Sequence, residues 1–342
     1  MAAKTEILPA QAESSDSQSL ATVPILVVHA HSSCNCHCLM CDIWKTKDTK
    51  TFGVRELQPQ LDSIRRLGVR WVVFSGGEPL MNPELPELCT ILRHEGIRLT
   101  LLTTGLLLKK CAASVAAGFD DVIVSLDGPP EIHDQIRRVE RAFTLLHEGV
   151  CVVRDARPDM RITARCTVQK ANHHRLWQTT ETAQLMRLNG ISFLAADLTS
   201  SAFNRPLIWP ASRQAEIGLS LNDLAVLEEG IETLISRAEA EFGVGFVAES
   251  SEKLRRIARH FRAHLGLEVE ESPVCNAPWV SAVIETDGAV RPCFFHPPIG
   301  NLRKTTLETA IKGSRARTFR ANLDIQHNPI CQKCVCSLSY HA

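Results

Sequence analysis

Two hydrophobic patterns alternate along the first two-thirds of the chain. Short runs of β-branched and aliphatic residues indicate buried strands, and stretches with apolar residues every three or four positions indicate amphipathic helices. In the stretch 55–67, for example, the helical positions are Leu57, Leu61, Ile64 and Leu67. The pattern predicts strands over 23–30, 70–75, 97–103, 121–126, 161–168 and 191–196. It predicts helices near 55–67, 84–95, 106–117, 136–150 and 173–189.

Six strand-then-helix units in succession predict an α/β fold with a parallel sheet, open or curled into a partial (β/α)6 barrel. In such folds the functional residues lie at the carboxyl-terminal ends of the strands. We therefore expect the chemistry of this protein directly after its strands.

The pattern changes from about residue 197. Residues 198–219 are predicted to be irregular, and Ser220 with Asp223 forms a capping-box-like start to a helix that ends near 240. A second amphipathic helix, about 251–265, has a basic face that we interpret as solvated surface. A cysteine-bearing segment follows over 275–336, with a hairpin turn at Thr286-Asp287-Gly288. We expect a tail over 1–22, a core over 23–240 and an auxiliary domain over 241–342.

Composition limits the function classes. The chain has 342 residues, 44% of them hydrophobic and 22% charged, as in globular proteins. Its 38 basic and 38 acidic residues balance, which argues against nucleic-acid partners and polybasic membrane contacts. We see no apolar run near the ~20 residues of a membrane span and no secretory pattern. Residues 1–22 are rich in Ala, Ser and Gln and predict disorder. Thirteen cysteines without a signal sequence predict a reducing, cytoplasmic location, where thiols bind metals more often than they form disulfides.

Three cysteines with the spacing C-x3-C-x2-C follow the first predicted strand. They are Cys34, Cys38 and Cys41. Three thiolates leave one iron of a 4Fe–4S cluster open to bind a substrate or cofactor. A zinc site is the alternative, with His37 inside the loop as a possible fourth ligand.

Small and polar residues follow the next three strands. Gly76-Gly77-Glu78-Pro79 comes after the second strand; its glycines permit close approach to the backbone, and the carboxylate of Glu78 could accept hydrogen bonds from an ammonium group. An ordinary tight turn is the alternative. Thr104 follows the third strand. Ser125 and Asp127 follow the fourth, and strand alternation predicts that they share a face.

The order of these motifs resembles the radical S-adenosylmethionine (SAM) superfamily over roughly residues 23–196. The run SLDGPPEIHDQIR, from Ser125 to Arg137, is similar to the branch with extra C-terminal clusters. Met40 stands where that family usually has an aromatic residue. The resemblance implies that Cys34, Cys38 and Cys41 hold a 4Fe–4S cluster that binds SAM. It also implies a SAM pocket formed by Gly76, Gly77, Glu78, Pro79, Thr104, Ser125 and Asp127.

A second cysteine pattern lies near the C-terminus. Cys275, Gly288 and Cys293 form C-x12-G-x4-C, and a C-x2-C pair follows as Cys331 and Cys334. This resembles the short "Twitch" version of the SPASM auxiliary domain and implies a second 4Fe–4S cluster. Because the chain ends eight residues after Cys334, we expect one auxiliary cluster and not two. Cys336 is an alternative fourth ligand, and a zinc ribbon is an alternative site.

The other cysteines carry weaker signals. Cys36 lies between predicted ligands and is expected to point elsewhere. The remaining four are most simply small core residues: Cys89, Cys111, Cys151 and Cys166.

The resemblance implies an enzyme that reductively cleaves SAM and abstracts a substrate hydrogen through a 5′-deoxyadenosyl radical. We expect oxidation of a small molecule, with the auxiliary cluster as electron acceptor. The alternative is a maturase that crosslinks or modifies a ribosomally made peptide, and the 22-residue tail is too short for a leader-binding domain. An iron–sulfur scaffold protein would have no use for the motifs after the second and fourth strands. The resemblance also implies an electron donor of the flavodoxin or ferredoxin type.

Overall fold

One nine-stranded sheet organises the part of the chain described by the computed structural model, residues 20, 22–205 and 207–340. The predicted tail therefore lies outside the described residues, except for Leu20 and Thr22. The strands are β1 (Ile25–His31), β2 (Trp71–Gly76), β3 (Arg98–Thr103), β4 (Asp121–Ser125), β5 (Arg161–Val168), β6 (Ile191–Ala195), β7 (Ser281–Ile284), β8 (Ala289–Arg291) and β9 (Gly300–Asn301).

Strands β1 to β6 are parallel and neighbour one another in chain order. The predicted α/β fold is confirmed, and each predicted strand lies within two residues of the observed one. The helices are α1 (Val54–Leu57), α2 (Leu61–Arg66), α3 (Leu85–His94), α4 (Leu108–Gly118), α5 (Pro130–Arg137), α6 (Ala142–Ala156), α7 (Leu176–Leu185), α8 (Ala211–Ile217), α9 (Leu221–Phe242), α10 (Ser251–His264), α11 (Ala277–Val280), α12 (Leu307–Lys312), α13 (Ser314–Ala321) and α14 (Pro329–Gln332).

Two predictions in the connections are wrong. The single helix predicted over 136–150 is two helices, because Arg138 and Arg141 adopt left-handed backbone conformations with φ of 53° and 58°. These residues end α5 and begin α6. Residues 198–219 are not irregular throughout, since α8 lies within them.

The parallel strands bury one face more completely than the other. In β5 the alternate residues Ile162, Ala164, Cys166 and Val168 are fully buried, whereas Thr163, Arg165 and Thr167 are partly exposed. Paired residues of a parallel sheet point to the same face. The register therefore defines an inner face, the less completely buried of the two, which includes these residues: His29, Ser75, Ser125, Arg165 and Ser192.

The C-terminal segment extends the same sheet. Strand β7 pairs in parallel with β1, and β7 and β8 form an antiparallel hairpin. Gly288 has φ of 83°, so the predicted hairpin turn is confirmed. The domain boundary predicted at residue 240 stays a prediction; helix α9 runs two residues past it.

Helix α9 begins as predicted. The amide N of Ser220 donates to Asp223 Oδ2 at 2.9 Å, and the amide N of Asp223 donates to Ser220 Oγ at 3.3 Å. This reciprocal capping box satisfies two amide groups that the first helical turn leaves without partners. No helix within the described residues is long and apolar enough to span a membrane.

Candidate functional site

The loop after β1, residues 34–41, is held by the end of α5. We call it the cysteine loop. The amide N of His37 donates to the carbonyl of Arg137 at 3.0 Å, and that of Leu39 donates to the carbonyl of Ile136 at 3.0 Å. The last carbonyls of a helix have no intrahelical donors. Helix α5 therefore uses its free end to position the three predicted cluster ligands.

The thiols of the cysteine loop lie among hydrogen-bond donors. The amide N of Ile43 donates to Cys41 Sγ at 3.4 Å, and Arg137 donates to Cys38 Sγ at 3.4 Å. Burial raises the pKa of Cys41 to about 12, and the nearby thiols of Cys38 and Cys34 add to the rise. Close, buried thiols with donors aimed at sulfur are the surroundings that iron–sulfur clusters use. The donor set therefore fits such a cluster.

His37 does not join these thiols. It is exposed, and its ring lies 5.0 Å from that of Trp44. Within the described residues, no group of three or more His, Cys, Asp or Glu side chains is assembled as a site for a single metal ion.

Residues 76–79, which we call the glycine turn, pack on the backbone just before the cysteine loop. The amide N of Gly77 donates to the carbonyl of His31 at 2.8 Å, and that of Glu78 donates to the carbonyl of Ser33 at 2.9 Å. A Cβ atom on Gly77 would lie 2.0 Å from that Ser33 oxygen. The sequence suggested that the glycines admit a ligand. The structure shows that they admit the backbone that leads into Cys34.

Glu78 is completely buried, with both carboxylate oxygens in hydrogen bonds. Its Oε1 accepts from the amide N of Leu80 at 3.0 Å and from the Thr103 hydroxyl at 2.8 Å. Its Oε2 lies 2.7 Å from both the amide N and the hydroxyl of Thr104. A carboxylate offers about four acceptor positions, so protein groups occupy those of Glu78. Its contact with an ammonium group stays a prediction.

Thr104 connects Glu78 to the cysteine loop. Its hydroxyl also lies 2.9 Å from Asn35 Oδ1. The predicted residues after β2 and β3 therefore meet beside Cys34, as expected for neighbouring strand ends. Pro79 is buried and begins the short 3-10 turn Pro79–Met81.

Ser125 and Asp127 do not share a surface. Ser125 ends β4, pairs with Arg165 and is partly exposed on the inner face. Asp127 lies beyond the strand and is completely buried. Its Oδ1 accepts from the amide N of Thr167 at 2.9 Å, and its Oδ2 forms an ion pair with Arg137 at 2.6 Å. The strand alternation that predicted a common face ends with Ser125.

A segment after β6 is fastened to the other end of the cysteine loop. We call residues 197–205 and 207–213 the strap. Arg205 is fully buried, pairs with Asp197 at 2.7 Å and donates to the carbonyl of Met40 at 3.1 Å. Its guanidinium carbon lies 3.7 Å from the ring centre of Trp209, whose indole donates to Asp42 Oδ2 at 2.7 Å. Sequence reasoning missed these residues, because no local pattern marks a long-range contact within an irregular segment.

The C-terminal cysteines also lie together. Burial raises the pKa of Cys331 and of Cys336 to about 11 each, and the nearby thiols of Cys293 and Cys275 contribute in both cases. The Cys334 thiol donates to the carbonyl of Cys336 at 2.9 Å. His296, which sequence reasoning missed, lies with Nε2 3.3 Å from Cys331 Sγ. Five thiols are therefore available to this second cysteine set (Cys275, Cys293, Cys331, Cys334 and Cys336).

The second cysteine set lies against the inner face. Cys275 comes before β7, which begins level with Ile25 of β1, and Cys293 follows β8, which runs back antiparallel to β7. The thiol of Cys336 is close enough to Arg165 and Asp197 for both charges to affect its pKa. Phe294, next to Cys293, lies 5.6 Å from the ring of His29. The second cysteine set therefore lies beside the inner face, near the strap that is fastened to the cysteine loop.

The other cysteines divide by burial. Cys89 and Cys166 are buried, and Cys111 packs on the core. The prediction that Cys36 points elsewhere is wrong, because hydrogen bonding to the Cys34 and Cys38 thiols, together with burial, raises the pKa of its thiol. The prediction of a core position is wrong for Cys151, which is exposed on α6. This helix has a polar face, and the thiol is small enough to be tolerated there.

Comparison with known families agrees with this geometry. Residues 30–162 match the model of the radical SAM superfamily, and residues 275–335 match the SPASM model, described as an iron–sulfur cluster-binding domain. The chain therefore contains a radical SAM domain and a SPASM domain. The SPASM match lies in the C-terminal part of the chain. It contains four of the five thiols of the second cysteine set and ends one residue before the fifth, Cys336. The radical SAM domain implies a 4Fe–4S cluster and SAM, and the SPASM domain implies auxiliary iron–sulfur clusters.

Individual relatives match over part of their length. The chain is 29% identical over 160 residues to Fe-coproporphyrin III synthase of Methanosarcina barkeri, covering 45% of this chain and 40% of that protein. It is 33% identical over 127 residues to an AdoMet-dependent heme synthase of the same organism, covering 36% of each. The chain thus spans about two fifths of the length of these curated relatives.

Among solved structures, Streptococcus suis SuiB bound to its precursor peptide SuiA has a similar fold. The TM-score is 0.65 at 16% identity, covering 94% of this chain and 73% of that one. This likeness extends the shared fold from the radical SAM domain through the C-terminal segment.

Proposed function

We propose that this radical SAM protein binds SAM at the cysteine loop, abstracts a hydrogen from a small molecule held against the inner face, and passes an electron from it to the auxiliary cluster. The observation that carries the proposal is that the cysteine loop follows β1 and the second cysteine set lies beside the inner face of the same sheet. We assign Cys34, Cys38 and Cys41 to the first cluster. We assign Cys275, Cys293, Cys331 and Cys334 to the second, with Cys336 as the alternative to Cys334.

The bound cluster supplies the electron that cleaves SAM to a 5′-deoxyadenosyl radical, which takes the substrate hydrogen. The chain supplies position. Helix α5 and the strap bond to the cysteine loop, and the glycine turn bonds to the backbone that leads into it, so the loop is held from three sides. Gly76, Gly77, Glu78, Pro79 and Thr104 build the wall beside Cys34, and Ser125 presents a hydroxyl on the inner face.

The inner face also suits a polar small molecule. Burial lowers the pKa of His29 to about 4, with the nearby Arg291 adding to the effect, so the imidazole is neutral. Arg165 is held by Ser192 at 3.0 Å and, within the described residues, has no carboxylate at ion-pair distance. Its guanidinium is therefore free to bind a carboxylate. That carboxylate can belong to SAM or to the substrate.

The curated relatives support a small molecule, since their names describe synthesis of Fe-coproporphyrin III and heme. A ribosomally made peptide is the alternative, because SuiB shares the fold and was solved with its precursor peptide. We propose a flavodoxin- or ferredoxin-type donor and a cytoplasmic location, since the cluster must be reduced and protected from oxygen.

The first test is SAM cleavage. The anaerobically reconstituted protein should form 5′-deoxyadenosine under dithionite, and the variant C34A/C38A/C41A should form none. The matched control is C111A/C151A, which removes two thiols outside both sets and should keep the activity. Cleavage by the triple variant contradicts the assignment of the first cluster.

The second test separates the substrate classes. Extracts of cells grown in deuterated medium are divided into a fraction below about 1 kDa and a peptide fraction, and each is incubated with protein and unlabelled SAM. Deuterium should enter 5′-deoxyadenosine only with the small-molecule fraction. Label from the peptide fraction alone would instead support the maturase.

A further inference from the structure

Arg137 is a buried cation in contact with a predicted ligand of the first cluster. It closes the run that begins at Ser125, but the sequence analysis gave it no role. Its side chain is 7% exposed, and it donates from one terminal nitrogen to Cys38 Sγ at 3.4 Å. Its second terminal nitrogen lies 2.6 Å from Asp127 Oδ2. One guanidinium therefore bridges a thiol of the cysteine loop and a fully buried carboxylate.

The surroundings keep this bridge in one geometry. The backbone carbonyl of Arg137 accepts the amide of His37, and Asp127 Oδ1 is fixed by the amide of Thr167. The neighbouring His133 accepts from the amide N of Asp127 at its Nδ1, 3.2 Å away. Burial holds the pKa of His133 well below its usual range, so this ring is neutral. The charges of the bridge are therefore the arginine and its partner aspartate.

A charge in this position acts on the electron affinity of a cluster. Reduction adds one negative charge to the cluster and its thiolates, and a cation bonded to a thiolate stabilises the reduced form. Hydrogen bonds to sulfur and net charge are among the features that set iron–sulfur potentials. In a buried site this effect is weakly screened. Asp127 opposes it, but Asp127 contacts the guanidinium and not the sulfur.

We propose that Arg137 is a positioning residue that raises the reduction potential of the first cluster through Cys38, and that Asp127 limits the size of this effect. The inference rests on the proposed function, because it needs a cluster on Cys38. Its distinguishing consequence is that the two partners of one ion pair shift the potential in opposite directions. A merely structural pair would shift it in the same direction or leave it unchanged.

The test is an anaerobic redox titration of the full, reconstituted chain, followed by electron paramagnetic resonance. The signal that changes when SAM is added identifies the cluster with an open iron. R137Q should make reduction at least tenfold less favourable, a fall of 59 mV or more for a one-electron couple. D127N leaves the cation uncompensated and should raise the potential. R137K keeps the charge but loses the two terminal nitrogens with which the guanidinium contacts Cys38 and Asp127 together. Its potential should therefore lie between those of R137Q and wild type.

The control pair has similar chemistry at the opposite edge of the sheet. Arg98 and Asp121 form an ion pair at 2.7 Å where β3 and β4 begin. R98Q and D121N should leave the potential unchanged. Shifts of the Arg137 and Asp127 variants in the same direction, or none beyond these controls, overturn the inference. If R137Q binds no cluster, the other two variants test the inference: R137K should lower the reduction potential and D127N should raise it.

Failure of the proposed function has a different appearance. A wild-type protein without a SAM-responsive cluster signal overturns the proposed function and this inference with it. A normal wild-type signal with unshifted variants overturns the inference alone.

Discussion

Replacing Glu78 by Gln should destabilise the metal-free protein. The glutamine keeps one oxygen for Leu80 and Thr103 but turns an NH2 group toward the amide N of Thr104. In the wild type this amide donates to Glu78 Oε2 at 2.7 Å, and in the variant it has no acceptor. A buried N–H without an acceptor costs about 1–3 kcal/mol, so we expect a loss of about 2 kcal/mol. Ala removes both oxygens and leaves a cavity, which should cost about 4 kcal/mol.

Calorimetry of the metal-free protein measures this effect without iron or SAM. A change of 1 kcal/mol lowers Tm by about 2–4 °C in a domain of this size class, so Gln should lower it by about 4–8 °C. The control is E87Q, an exposed glutamate on α3, which should leave Tm nearly unchanged.

The same variants separate the two roles considered for Glu78. If its carboxylate is needed for the buried contacts, Tm falls and the reconstituted protein loses iron from the cysteine loop, because Thr104 joins Glu78 to Asn35. If it serves an ammonium group alone, E78Q keeps Tm and iron but weakens SAM binding at least tenfold, as expected for a lost charge-assisted hydrogen bond. An unchanged Tm would refute the structural reasoning.

Three further predictions follow from contacts around the two cysteine sets. G77A would place a Cβ atom 2.0 Å from Ser33 O, so iron bound at the cysteine loop should be lost. G230A, on α9, would place its Cβ 3.9 Å from the carbonyl oxygen of His173, so this control should bind normal iron and gain about 1 kcal/mol. C334A should lower the iron content by about four atoms per chain, the content of one 4Fe–4S cluster, whereas C336A should leave the iron content unchanged. The reverse result would make Cys336 the ligand. R205Q breaks a buried ion pair and should cost about 3–5 kcal/mol in thermal unfolding, whereas R255Q, in an exposed pair with Glu232, should change nothing measurable; equal effects would contradict the role of burial.

Much of the fold could be predicted because each parallel strand carries its own signal. A strand in the buried part of a parallel sheet is rich in β-branched and aliphatic residues, as in the first four residues of β1, from Ile25 to Val28. The chain order of strand and helix then limits the connections to a few topologies. The split of the predicted helix over 136–150 had no such signal, because arginines rarely adopt the left-handed conformation that Arg138 and Arg141 have.

The sequence predicted which residues lie at the ends of the strands, but it did not predict which groups their side chains contact. Sequence reasoning placed Glu78 and Asp127 at strand ends and gave both a ligand role. The structure surrounds both with protein donors, and the donors come from β3, β5 and α5. Spacing along the chain says which residues reach one edge of a sheet. It does not say which side chains become buried there.

The arrangement of the two cysteine sets depends on the position of β1 between β2 and β7. The seven residues of β1 span six steps of ~3.3 Å, about 20 Å in all, with the cysteine loop after its last residue and β7 beginning level with its first. The register of β7 on β1 fixes this offset, because a slip by one residue would turn each β7 side chain to the opposite face. Because the cysteine loop follows β1, and Cys275 and Cys293 flank the hairpin that pairs with β1, the sheet itself fixes the offset between these parts of the two sets, whatever the length of the surrounding loops.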